Sequence, residues 1–135
     1  MSRALRPTGW IRPSGYAHGI AAEGSYVAVA GQIGWNARHE LESDDFVEQA
    51  AQALRNIVAI LAEAKASPMH LVRLTWYVID KQEYLASAPR LGVMYREIVG
   101  PHYPAMTLVE VSSLLEDRAK VEIEATAIVP SSESR

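Results

Sequence analysis

Between Phe46 and Leu61 the apolar positions Phe46, Ala50, Ala53, Leu54, Ile57, Val58 and Leu61 recur at spacings of three and four, with Glu48, Gln52 and Arg55 between them. This period predicts an amphipathic helix that buries one stripe. Ser43, followed by Asp44 and Asp45, supplies its start: a side-chain oxygen for a free N–H, then acids at the positive end of the dipole. Lys65 and Pro68 mark its end. From Leu71 to Ile79 the period changes to two. Val72, Leu74, Trp76 and Val78 fall on one side and Arg73, Thr75, Tyr77 and Ile79 on the other, as in a central strand. A second helix is expected between Lys81 and Val99, with Leu91, Tyr95 and Ile98 inward and Gly100-Pro101 as its stop. Pro89 suits a first turn, so the regular helix starts near Ser87, after a separate turn around Gln82–Leu85.

Two strands close the chain, Ala105–Val111 and Lys120–Val129. In the second, Val121, Ile123, Ala125, Ala127 and Val129 oppose Glu122, Glu124, Thr126 and Ile128. Near the N-terminus Tyr26–Ala30 is rich in strand formers, follows a turn at Glu23-Gly24-Ser25 and stops at Gly31. With His18–Ala22 it suggests a hairpin. The resulting order places two helices on one face of a mixed sheet, an α+β two-layer fold. The other face stays bare, carrying Glu122, Glu124 and aromatics from among Trp35, Trp76 and Tyr77. Subunit association is the economical way to cover it.

The chain's 135 residues are 49% hydrophobic, which suits one domain over residues 1–130 with a polar, disordered tail at 131–135. Cysteine is absent, so disulfides and thiolate metal sites are excluded. No apolar run approaches a membrane span and no secretory pattern opens the chain, so a cytoplasmic protein without membrane partners is expected. Thirteen Lys and Arg against 16 Asp and Glu give a net charge of −3, with no basic stripe for nucleic acid.

The chemistry-bearing residues narrow further. The four histidines, His18, His39, His70 and His102, are scattered, which disfavours a metal site. Gly31-Gln32-Ile33-Gly34 leads into Trp35-Asn36 instead of a helix, so it lacks the setting of a dinucleotide loop. No Gly-x-Ser-x-Gly elbow is present. Acid–base chemistry remains. Glu122 and Glu124 share a strand face about 7 Å apart, and a carboxylate half-buried at a subunit seam suits proton transfer. Two solvated glutamates are the alternative. Tyr16, after Pro13-Ser14-Gly15, offers a phenol at a turn, or simply packs there.

Gly15-Tyr16, Val29-Ala30-Gly31-Gln32-Ile33, the Gln49–Ala64 helix, Val72–Asp80, Tyr103-Pro104-Ala105 and Lys120-Val-Glu-Ile-Glu-Ala125 together resemble, in order and spacing, the RidA or YjgF-like family. The resemblance covers roughly Gly15 to Val129. It implies a chorismate-mutase-like α+β fold and a homotrimer with three clefts between subunits. It also implies hydrolysis of imine or enamine metabolites without a cofactor. Glu122 matches the glutamate that positions water, Tyr16 the tyrosine that lends its hydroxyl, and the main chain at Gly31 the cleft wall. Met106 stands where such deaminases carry an arginine for the substrate carboxylate. A thioether cannot replace a planar cation with five donors. Gly34-Trp35 replaces the family's proline, and the Glu83–Tyr95 stretch reads as one helical turn longer.

The expectation is therefore cofactor-free hydrolysis, deamination or tautomerisation of a small imine or enamine other than 2-iminopropionate. Trp35, Tyr103 and Met106 would form an apolar wall. The alternative is a regulatory trimer that binds a metabolite without turning it over. A nuclease is disfavoured by the charge, and a mutase would need Arg73, Arg90, Arg96 or Arg118 to converge on a cleft.

Overall fold

The computed structural model describes residues 2–131, and the tail expected at 131–135 falls outside them except for Ser131. The long helix α1 (Phe46–Glu63) follows the expected stripe, with Ala50, Ala53, Leu54, Ile57 and Leu61 buried. Its cap is Asp45, not Ser43: the Asp45 carboxylate accepts the Glu48 N–H at 3.0 Å, and Ser43 Oγ accepts the Asp45 N–H in the turn that leads into it. At the other end Lys65 takes a left-handed φ of 57°, and Ala66 N–H bonds to Leu61 O across it. This double turn satisfies the free carbonyls that end a helix.

Four strands form the main sheet in the order β3 (Ser25–Gln32), β6 (Val121–Val129), β4 (Leu71–Val78), β5 (Ala105–Glu110). Only the β4–β5 pair is parallel, so the sheet is mixed and β4 is internal, as expected. A parallel pair needs a crossover. It is made by α2 (Lys81–Ala86) and α3 (Ala88–Ile98), two helices where one helix after a turn was expected. The Asp80 carboxylate caps Gln82 and Glu83, which turns the expected bend into a short helix. Together with α1 they cover one face of the sheet. The buried side chains of β6, Val121, Ile123, Ala125, Ala127 and Val129, meet them there.

The expected hairpin is corrected. The strand β2 (Gly19–Ala22) pairs antiparallel with β1 (Ser2–Leu5) in a separate two-stranded ladder and not with β3. The cause is an anchor just before it. Ala17 N–H donates to Pro104 O at 3.0 Å and Ala17 bridges Ala105, which ties the chain to the β5 edge, opposite the β3 edge. The strand β3 also runs through Gly31 to Gln32, with a register shift after Val29.

One buried polar side chain locks the layers. Gln49, 1% exposed, donates from Nε2 to Ser43 O and Arg118 O, and accepts the Lys120 N–H on Oε1. A buried amide so satisfied costs little, and it fixes the loop that leads into β6. Gly34 lets the loop after β3 cross α1, since a Cβ there would stand 2.6 Å from the Gln49 Cα.

Candidate functional site

The open sheet face is built by register. Tyr77 lies opposite Glu122, and Thr75 lies opposite both Glu124 and Thr107, so these side chains share the side turned away from the helices. Tyr26, 68% exposed, continues the face on β3. Of the aromatics expected here, Tyr77 is present. Trp76 points the other way and is buried, as the alternation with Leu74 and Val78 requires, and Trp35 sits in the loop beyond β3. Residue Tyr26 was missed because its neighbours Val27 and Val29 gave the strand its buried side.

Glu122 is half-buried on this face and lies across Gly31, whose missing Cβ leaves room for the carboxylate. The structure thus brings two of the expected site residues together. Among the described residues the Glu122 carboxylate has no hydrogen-bond partner. Glu124 differs: the Tyr77 hydroxyl donates to its Oε1 at 2.5 Å. That bond, with partial burial and the charges of Glu124 and Glu122, holds the Tyr77 phenol above its ordinary pKa. One glutamate is committed and its neighbour is free to bind water or substrate. Tyr77 was legible as an outward residue, but its bond to Glu124 is diagonal and has no sequence signature.

Met106 and Tyr103 lie on the helix side. Met106 is in register with Leu74, and both it and Tyr103 pack against the core. With Trp76, Tyr84, Leu91, Tyr95, Gly15 and Gly92 they line a half-open cleft of about 160 Å³. Tyr95 and Tyr103 stack with centroids 5.3 Å apart, and Tyr84 meets Trp76 edge-on at 6.2 Å. The Tyr95 hydroxyl donates to His102 O at 2.7 Å, and burial pushes its ionisation far up. Burial likewise raises the Tyr84 phenol. Tyr16 follows Gly15 but does not itself line this space; it is 38% exposed, with its ring edge-on to His18.

Trp35 is apart from this wall. Its ring stacks on His39 at 3.9 Å, and its carbonyl accepts from Asn56 Nδ2. Within one chain the sheet separates Glu122 and Gly31 from Tyr103 and Met106. Of the arginines considered for a dianion, Arg90 is held by Asp45 and Arg118 by Asp44, each at 2.9 Å. No cluster of metal-ligating side chains occurs among the described residues.

A mixed sheet with its helices on one face and a glutamate pair on the other defines an α+β protein of the YjgF type. Comparison with known proteins agrees. The family model described as Endoribonuclease L-PSP matches residues 11–129. A RutC family protein of Pyrococcus abyssi is 36% identical over 105 residues, 77% of this chain and 79% of that relative. The 2-iminobutanoate/2-iminopropanoate deaminase of Salmonella typhimurium is 32% identical over 108 residues, covering 78% and 80%. Among solved structures, the Rid family protein YyfB of Yersinia pestis superposes with a TM-score of 0.80 at 30% identity, covering 95% of this chain and 98% of that one. The chain belongs to the endoribonuclease L-PSP family, which includes the RutC and RidA proteins.

Proposed function

We propose that the protein hydrolyses a small neutral imine or enamine, with Glu122 as the group that handles water and proton. The observation that carries this reading is the Glu122 carboxylate itself: half-buried, laid over Gly31 and unbonded, beside a glutamate already engaged by Tyr77. Relatives named as 2-iminobutanoate/2-iminopropanoate deaminases support the reaction class. Water adds its oxygen to the imine carbon while Glu122 takes a water proton. The acid so formed returns the proton to nitrogen and gives a carbinolamine; the carboxylate then takes the hydroxyl proton and passes it to the amine nitrogen, so that the C–N bond breaks and ammonia leaves a carbonyl compound. No cofactor is needed for this sequence.

The substrate is neutral near the reacting carbon because Met106 offers no cation. Placing a substrate carboxylate against a thioether and aromatic rings, without a paired guanidinium, costs several kcal/mol in order of magnitude. Glu122 and the slot face opposite ways within one chain, so the reading also requires neighbouring copies, as a homotrimer, to bring one chain's Glu122 to another's Tyr103 and Met106. Tyr16, next to the slot-lining Gly15, is assigned to the substrate in the same seam.

The test generates imines in place with amino-acid and amine oxidases and follows their decay with wild type and Glu122→Gln. Faster decay of neutral imines by wild type, lost in the variant, supports the proposal. Equal inertness of both on every imine rules it out. Thermal stabilisation by a metabolite without turnover would favour the regulatory alternative.

A further inference from the structure

Two carboxylates and one phenol share the open sheet face, and the phenol has a single proton to give. Tyr77 lies directly opposite Glu122 in the register of β4 with β6, yet its hydroxyl passes that neighbour and donates to Glu124 Oε1 at 2.5 Å. Among the described residues no other side chain donates to Glu124. The sheet order β3, β6, β4 then parts the two acids. Glu124 is drawn toward β4 by Tyr77, while Glu122 leans the other way, over Gly31 of β3. The phenol still feels both: the Glu124 bond, burial and the charge of Glu124, then that of Glu122, hold it above its ordinary pKa. The remaining charged or titratable strand residues of this face, Tyr26 on β3 and Arg73 on β4, are exposed, and neither bonds to Tyr77 or to either glutamate.

We propose that Glu124 is a positioning residue: it holds the Tyr77 hydroxyl, so that Glu122, the direct register partner of Tyr77, keeps an unbonded carboxylate over Gly31. A phenol donates more strongly to a carboxylate than to a neutral amide. With Glu124 ionised, the diagonal bond forms and the base beside it is left open. With Glu124 replaced by Gln, Glu122 is the one carboxylate next to the phenol, and the hydroxyl turns to it. That bond impairs the site in two ways. It draws Glu122 off Gly31 toward β4, and it occupies a carboxylate oxygen that the attacking water needs. Directly opposed side chains stand about 4.5–5.5 Å apart at Cβ, against roughly 7–8 Å on the diagonal, so the turn requires no change of backbone. As an account of turnover the inference rests on the proposed function. As an account of where the hydroxyl donates it does not.

Two readouts on the whole protein test it. The first is turnover of a neutral imine. Glu124→Gln should lower kcat/KM by about ten- to a hundredfold, the order of one hydrogen bond to a charged group, with the loss mostly in kcat. Taking the hydroxyl away as well, in the Tyr77→Phe, Glu124→Gln double variant, should return kcat/KM to within about threefold of wild type, because nothing then competes for Glu122. If the bond were only a brace, the double variant would be no better than the single. The second readout is the ionisation of Tyr77, followed by NMR of ring-labelled tyrosine, with its signal assigned as the one missing from Tyr77→Phe. In Glu124→Gln the phenol should stay raised, now held by Glu122, and should fall toward its ordinary value only when Glu122→Gln is added. The full fall in Glu124→Gln alone, wild-type turnover in that variant, or a loss that persists in the double variant overturns the proposal. A wild type inert toward every imine refutes the proposed function, and the Tyr77 titration then decides this inference by itself.

Discussion

Gly31→Ala separates the role of the Glu122 position from that of its charge. An alanine Cβ at residue 31 would stand 2.8 Å from Glu122 Cδ and 2.9 Å from its Cγ, with the carboxylate oxygen nearer still. Carbon atoms in ordinary contact are about 3.5–4.0 Å apart, so the side chain must swing aside by roughly 1 Å. The swing is cheap for stability because the colliding atoms end a flexible, half-buried side chain. Alanine is also no worse than glycine in a strand, so the melting temperature should change little. Activity should not escape. A reacting group misplaced by 1 Å loses about a hundredfold, and a fall of ten- to a hundredfold in kcat/KM toward a neutral imine is expected. The assay is a double-mutant cycle with Glu122→Gln. With the carboxylate already gone, adding Gly31→Ala should cost nothing further, a coupling of about 1.5–3 kcal/mol in transition-state terms. Wild-type activity in Gly31→Ala, or losses that multiply in the double variant, would refute the reasoning.

Three other outcomes follow from the same geometry. Met106→Arg should raise hydrolysis of 2-iminopropionate relative to a neutral imine by about tenfold or more, read as a ratio of kcat/KM values, because it restores a cation for the carboxylate. Co-expression of Glu122→Gln and Met106→Asp chains in equal amounts should recover roughly a quarter of wild-type activity on a neutral imine, since one site in four then takes an intact Glu122 and an intact apolar wall from different chains; no recovery would place both halves in one chain. Asp45→Ala should destabilise by about 1–2 kcal/mol in urea unfolding, from the lost cap and an exposed ion pair. Arg90 and the Glu48 N–H hold the Asp45 carboxyl below its ordinary pKa, so its contribution is present above about pH 4 and is lost as pH falls through that lowered value; the stability gap between wild type and Asp45→Asn should narrow in acid.

How much of this was legible in the sequence depends on whether a feature repeats. The stripe of α1 and the alternations of β4 and β6 recur over 18, 8 and 9 residues, so their buried sides could be read directly. Features made by one contact between distant positions could not. The pairing of β2 depends on Ala17 meeting Pro104, and β1 carries no apolar pattern of its own. Gln49 sits in a helix whose other glutamine, Gln52, is only partly buried, and nothing local marks it as a buried cross-link to residues 43, 118 and 120. The site divides in the same way. Glu122 and Gly31 could be named from motif and strand position. The grouping of Trp76, Tyr84 and Tyr95 around Met106 could not, because it requires the crossover helices to fold back onto β4 and β5.

The division of the site by the sheet is the main physical constraint on any function. A strand sends successive side chains to opposite faces, so residues 106 and 122 keep their sides as long as the β4 register with β5 and β6 holds. A one-residue slip would bury Glu122 against Leu54 and Ile57, in a core with no cation to meet it. The two halves of the site therefore cannot be joined by local rearrangement. Either they serve different ligands, or they are completed by a second chain. The open face favours completion: it carries an exposed Tyr26, a half-buried Ile128, the Tyr77–Glu124 bond and one unbonded carboxylate. In a single chain Glu122 is half-buried on a face open to bulk water. Covered by a neighbouring chain it would face a closed seam in place of bulk water, where one water and one imine can be held against its oxygens, and only there is it suited to pass a proton between them.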